Sequence, residues 1–172
     1  MTEILWIGRG GQGAFTAAKL LGAAFAGRDD RCHALAFPSF GPERRGAPVR
    51  AFTKLDSSPI LDRSQTSHAD YIVVLDDTLY SDALTGLLKA GGKIILNTKT
   101  RTGDSLLPFD ASALAASQRL PVVNTIMLGA LAEVSGAVTL EEVQAAIDGY
   151  MPAPLREKNK AAVLAAAEEV RK

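Results

Sequence analysis

A single cysteine, Cys32, serves a chain of 172 residues. An intrachain disulfide needs two thiols and an iron–sulfur cluster normally takes four, so neither can be built from this sequence alone. An excess of charge of one sign is also missing, because 19 basic and 19 acidic residues cancel. No whole-molecule positive field exists to gather nucleic acid or an anionic membrane surface. Long apolar runs are lacking too: Ile4 to Ile7 follows Glu3 without a basic leader, and no later run reaches bilayer length. The expectation is a soluble, cytoplasmic protein with no nucleic-acid and no membrane partner.

With 47% hydrophobic and 22% charged residues, and no repeat or low-complexity tract, the composition is that of an ordinary globular protein. A chain of this length buries roughly 70% of its unfolded surface in one core, so a single domain over residues 1–172 is expected. Residues 3–7 form an apolar run of strand formers, glycines follow at once, and Ala14 to Ala26 has helix-forming composition. Gly27 offers a left-handed helix end, and Cys32 to Phe37 a second strand that would complete a first β-α-β unit. Val49 to Leu55 alternates apolar and polar residues, as a strand with one wet face does.

Ala69 to Leu75 predicts a further strand, Thr78 to Ala90 a helix closed by Gly91-Gly92, and Lys93 to Leu96 another strand. Residues 99–120 are less regular, and Val122-Val123 is brief. Helices are predicted from Ile126 to Val134, from Thr139 onward, and from Leu155 to Lys172. Alternating strands and helices predict a Rossmann-like, doubly wound α/β fold with a mostly parallel sheet, helices on both faces and a helical carboxyl-terminal extension.

The turn Gly8-Arg9-Gly10-Gly11-Gln12-Gly13 follows a strand and opens a helix. In that context one glycine permits the turn and another lets a phosphate approach the helix amino terminus. Arg9 and Gln12 could donate hydrogen bonds to a phosphate, a carbonyl or a facing subunit. A purely structural reading fits as well, with glycines that let strand, helix and neighbouring chain pack closely. Ordinary NAD binding fits worse, because Phe37, Pro38 and Ser39 stand where an acidic ribose ligand belongs.

Arg44 and Arg45 lie in a segment stiffened by Pro42 and Pro48 and flanked by Gly41 and Gly46. Such a loop presents guanidinium groups with little freedom to lose on binding, and arginine suits bidentate contact with carboxylate or phosphate. Salt bridges to Glu43 or to another subunit are the alternative. Asn124 could reach a ligand at the sheet edge or cap the helix that follows, and Asp77 or Thr78 could cap the helix after Asp76. Cys32 and His33 point to opposite faces of a strand, and His68 and the Asp76-Asp77 pair lack metal-ligand spacing. No catalytic residue and no metal ligand is assigned to this chain.

The run Pro38-Ser-Phe-Gly-Pro-Glu-Arg-Arg-Gly-Ala-Pro-Val49, downstream of the glycine turn, resembles the gamma subunit of the pyruvate/2-oxoacid:ferredoxin (acceptor) oxidoreductases. The resemblance extends to Asp76 with Leu79, Gly91-Gly92, Asn97-Thr98, the run from Asn124 to Ala130, and Asn159. It implies an oxidative decarboxylation of a 2-oxoacid to an acyl-coenzyme A and carbon dioxide, with two electrons passing to ferredoxin or a related acceptor. It also implies thiamine diphosphate and Mg2+ in alpha and beta subunits, iron–sulfur clusters of the 4Fe–4S type in a delta subunit, and no cofactor bound by the gamma chain alone. The chain would then be architectural and inactive by itself, with Gly8 to Gly13, Arg44, Arg45 and Asn124 as the residues that could help hold coenzyme A. Ala47 replaces a glycine often found after the family's arginine, and the variant resembles the pyruvate or branched-chain 2-oxoacid type, with aryl 2-oxoacid members as the alternative. A stand-alone nucleotide-binding enzyme and a non-redox scaffold are the alternatives.

Overall fold

The computed structural model describes residues 1–39 and 46–172. Six strands form one sheet: β1 (Thr2–Arg9), β2 (His33–Pro38), β3 (Pro48–Asp56), β4 (Ala69–Val74), β5 (Leu88–Asn97) and β6 (Leu106–Phe109). Their spatial order is β2-β3-β1-β4-β5-β6. The run β1-β4-β5-β6 is parallel, whereas β3 lies antiparallel to both β1 and β2, so the sheet is mixed and mostly parallel. Among the described residues, α1 (Ala14–Ala26) joins β1 to β2, while α2 (Ala111–Ser117), α3 (Asn124–Ser135), α4 (Leu140–Tyr150) and α5 (Ala153–Val170) all follow β6.

Side chains alternate across the sheet with the period-two logic of extended backbone. Ile4, Trp6, Ala51, Val73, Ile95 and Phe109 join one buried cluster with residues from all five α-helices. Leu5, Ile7, Phe52, Ile72, Ile94 and Leu106 form a second cluster on the opposite face. That face is covered by two 3-10 turns, Asp77–Leu79 and Asp82–Leu87, through Leu79, Leu84 and Leu87. The helical cover expected on both faces is thus α-helical on one and 3-10 on the other.

Several local expectations change. Thr78 to Ala90 is not one helix: Ser81 is extended, and from Leu88 the chain joins the sheet beside Ala69. Gly91-Gly92 makes a bulge instead of a helix stop, since Gly91 takes φ 79° and a Cβ on Gly92 would lie 2.9 Å from Asp70 O. Gly27 keeps a right-handed φ of −73°. The first β-α-β unit is split, because β3 inserts between β1 and β2.

The wet face expected for β3 holds at Arg50, which is exposed, and fails at Lys54, which is fully buried, as is Thr53 on the opposite face. Thr53 accepts from Trp6 Nε1 at 3.0 Å and donates to Ala18 O at 3.1 Å, which satisfies its hydroxyl between sheet and helix. Lys54 Nζ lies 2.6 Å from Asp62 Oδ2 and 3.5 Å from Glu3 Oε1, so the buried cation is paired and ties residues 57–68 to the sheet. Close helix packing completes the core, with Gly129 of α3 set directly against the backbone of Val163 in α5.

Candidate functional site

β1 connects through α1 toward β2 on one side of the sheet, while β4 to β6 extend on the other side. The crevice at the carboxyl ends of β1 and β4 is therefore a topological switch point, where open α/β sheets bind ligands. The glycine turn supplies one wall and Asp76-Asp77 the other. A polar cavity of about 500 Å³ opens there, lined by Gln12, Asp76, Asp77, Asn97, Thr98 and Ser112 among others.

The turn itself is tightly stitched. Gly11 (φ 94°) and Gly13 (φ 80°) occupy the left-handed region that glycine alone enters without strain. Gly10 N donates to Ala47 O at 2.8 Å and Gly46 N donates to Gly10 O at 3.2 Å, which prolongs the β1–β3 pairing past Pro48. Gln12 Oε1 accepts from Arg9 N at 2.7 Å, and Gln12 Nε2 donates to Asp76 Oδ2 at 3.2 Å. The Arg9 fork reaches three acceptors: Nε donates to Asp76 Oδ2 (3.1 Å), Nη1 to Gly46 O (3.0 Å) and Nη2 to Thr78 Oγ1 (2.7 Å).

Asp76 is the hub of this arrangement. Its Oδ1 accepts from the Thr78 amide and hydroxyl, while Oδ2 accepts from Arg9 and Gln12. Partial burial pushes its pKa upward, but the Thr78, Gln12 and Arg9 donors outweigh that and hold the carboxyl below the ordinary carboxylate value. Capping of the turn after β4 falls to Asp76, not to Asp77 or Thr78, because Asp76 is the extended residue just before the 3-10 turn. Asp77 instead accepts from Thr98 Oγ1 at 2.9 Å. Asn97 completes the floor, donating to Leu75 O at 2.9 Å and accepting from Ser112 N at 3.1 Å.

The structure brings Gly8, Arg9, Gly10, Gly11, Gln12, Gly13 and Asn124 together. Asn124 does not cap α3; it is the helix's first residue, Val123 holds the cap position, and Asn124 Nδ2 points to Gly13 O at 3.4 Å. A Cβ on Gly13 would lie 2.5 Å from that nitrogen, so a larger residue would displace the Asn124 side chain as well as strain the left-handed backbone at φ 80°. Arg44 and Arg45 lie outside the described residues, but the ends of their segment are fixed: Ser39 N donates to Arg50 O at 2.8 Å, and Gly46 is bound as above. The role of Arg9 as a bridge to Asp76 and Thr78 was not visible in the sequence, since those partners stand 67 and 69 residues away.

β3 between β1 and β2 also moves the end of β2 one strand away from the glycine turn, which separates this crevice from a dinucleotide-type site. A larger, mostly apolar groove of about 570 Å³ lies elsewhere, between β6, α2 and the end of α5. Among the described residues no group of three or more His, Cys, Asp or Glu side chains could hold a metal ion, and no helix is long and apolar enough to cross a membrane.

The sequence pattern of the pyruvate ferredoxin/flavodoxin oxidoreductase family matches residues 3–169. The chain is 43% identical to the pyruvate synthase subunit PorC of Methanothermobacter thermautotrophicus, over 100% of this chain and 97% of that protein. It is 44% identical to the pyruvate/ketoisovalerate oxidoreductases common subunit gamma of Thermococcus kodakarensis, over 92% and 91%. Among solved structures, the pyruvate oxidoreductase subunit PORC of Thermotoga maritima superposes with a TM-score of 0.83 at 34% identity, covering 98% of this chain and 96% of that one.

Proposed function

The chain belongs to the pyruvate ferredoxin/flavodoxin oxidoreductase family as the gamma subunit of a pyruvate/2-oxoacid:ferredoxin oxidoreductase, and from that premise we propose that its part in the reaction is to help position coenzyme A. Thiamine diphosphate with Mg2+ belongs in this reading to alpha and beta subunits, and the iron–sulfur clusters to a delta subunit, in a cytoplasmic complex that reduces ferredoxin. The donor set of this chain does not fit an iron–sulfur cluster, because one thiol cannot replace the four that a cluster takes.

Coenzyme A carries three phosphates, which favour amide donors and guanidinium forks. The observation that carries the proposal is the stitching of Gly46 and Ala47 to Gly10, which roots the segment holding Arg44 and Arg45 beside the switch-point crevice. Gly11 and Gln12 follow Gly10 in the turn, and Asn124 points to Gly13 O at its end. They shape the wall against which the substrate's phosphates would lie.

The test is Arg44→Ala with Arg45→Ala in the reconstituted complex. Removing two charge-assisted phosphate contacts, each worth about 1.5–3 kcal/mol, should raise KM for coenzyme A by more than about 100-fold while the subunits remain assembled. An unchanged KM with intact assembly refutes the proposal.

A further inference from the structure

We propose that Arg9 is a positioning residue: its guanidinium, which the glycine-turn motif offers as a ligand donor, instead locks the turn, the root of the 40–45 segment and the end of β4 into one rigid edge. The inference rests on the coenzyme A reading above and assigns to Arg9 no contact with substrate.

The three arms of the fork end on two segments. Gly46 O belongs to the strand root of β3, Asp76 follows β4, and Thr78 lies in the 3-10 turn beyond it. These segments face one another across the crevice only because β3 and β4 flank β1 on opposite sides. Backbone bonds join Gly10 to the β3 root, but among the described residues of this cluster only Arg9 also bridges that root to β4. Asp76 accepts four donors and so has no capacity left for a substrate hydroxyl or amide. That carboxylate is satisfied from within the cluster.

A planar fork holding three acceptors cannot be replaced by lysine, whose single ammonium is a point charge on a flexible stem. Arg9→Lys keeps the charge and loses the geometry. The variant separates a field effect from a positioning effect.

The experiment uses the assembled complex with Arg9→Lys, Asp76→Asn and the double variant. Each single change should raise KM for coenzyme A about tenfold, leave KM for the 2-oxoacid and kcat at saturating coenzyme A within about twofold, and the double variant should be no worse than the worse single one. Hydrogen exchange of the Gly10 and Gly46 amides should accelerate about tenfold in Arg9→Lys while exchange in α3 and α5 stays unchanged. This second readout needs no turnover, so it holds even if a variant complex is inactive. Unchanged exchange at Gly10 and Gly46, or strictly additive effects of the two changes, overturns the inference. If the Arg44 and Arg45 changes raise KM for coenzyme A and Arg9→Lys does not, the positioning role falls and the substrate reading survives. If neither moves it, both fall.

Discussion

Adding one methyl group at Gly129 should destabilise this chain, although alanine is the better helix former. Gly129 lies inside α3, where a Cβ would sit 2.5 Å from Val163 O and 2.9 Å from Val163 Cα in α5. Both atoms are backbone, so no side-chain rotation relieves the contact, and α5 must shift as a unit. Overpacking of this kind costs typically about 1–3 kcal/mol, and a backbone clash belongs at the upper end. Alanine returns about 1 kcal/mol of helix propensity, which leaves a net loss of about 2 kcal/mol. For a chain of this size that lowers Tm by roughly 4–8 °C. Gly149→Ala is the matched control: it is also helical, in α4, and a Cβ there would meet nothing within 4 Å. That change should raise Tm by about 2–4 °C through propensity alone. Thermal unfolding followed by circular dichroism, with urea midpoints at unchanged m, measures both. If Gly129→Ala proves as stable as the parent chain, the tight α3–α5 contact is not what orders these helices.

The remaining expectations concern polar pairs. Thr125→Val should lower stability by about 1–3 kcal/mol, because Thr125 Oγ1 donates to Asn159 Oδ1 at 2.6 Å and that buried acceptor would lose its partner; an unchanged urea midpoint would refute the role. Glu142 is held below its usual carboxyl value, first by its hydrogen bonds from Arg28 and then by the Thr139 amide, against the opposing push of burial. Its contribution is therefore present above the ordinary Glu range and is lost as pH falls through the lower, folded value. The stability gap between the parent chain and Glu142→Gln should shrink between about pH 6 and pH 3 in urea titrations, and a constant gap would refute the pairing.

What the sequence made legible was local. Ala14–Ala26 has its helix bounded as composition and glycines predict, and Thr139 with Glu142 forms the capping box its spacing announces, each side chain bonding the other's backbone. These signals reside within a few residues of the element they specify. Thr78 to Ala90 misleads because its helical period is overridden by a tertiary demand: Leu79, Leu84 and Leu87 must cover the second sheet face, and Leu88 must pair with Ala69. β6 and α2 fall in residues 99–120, where four strand residues and a seven-residue helix are too short to display a period. Lys54 looked wet for the same reason that its burial is possible, since its cation is neutralised by Asp62 from a loop and Glu3 from β1, neither of which strand periodicity can supply.

The site divides along the same line. Gly8 to Gly13 is recognisable because its glycines answer to local backbone needs, and Gly11 and Gly13 do adopt left-handed conformations. Whether Arg9 and Gln12 face outward to a phosphate or inward to the protein is decided by what β4 delivers across the crevice, and β4 delivers a carboxylate. A fixed Asp76 draws both donors inward, and with them the root of β3 through Gly46. The glycine turn therefore resembles a phosphate loop in sequence while its longest donors are spent on internal order. That leaves anion recognition to groups the turn positions, which is why Arg44 and Arg45, not Arg9, carry the proposed contact with substrate.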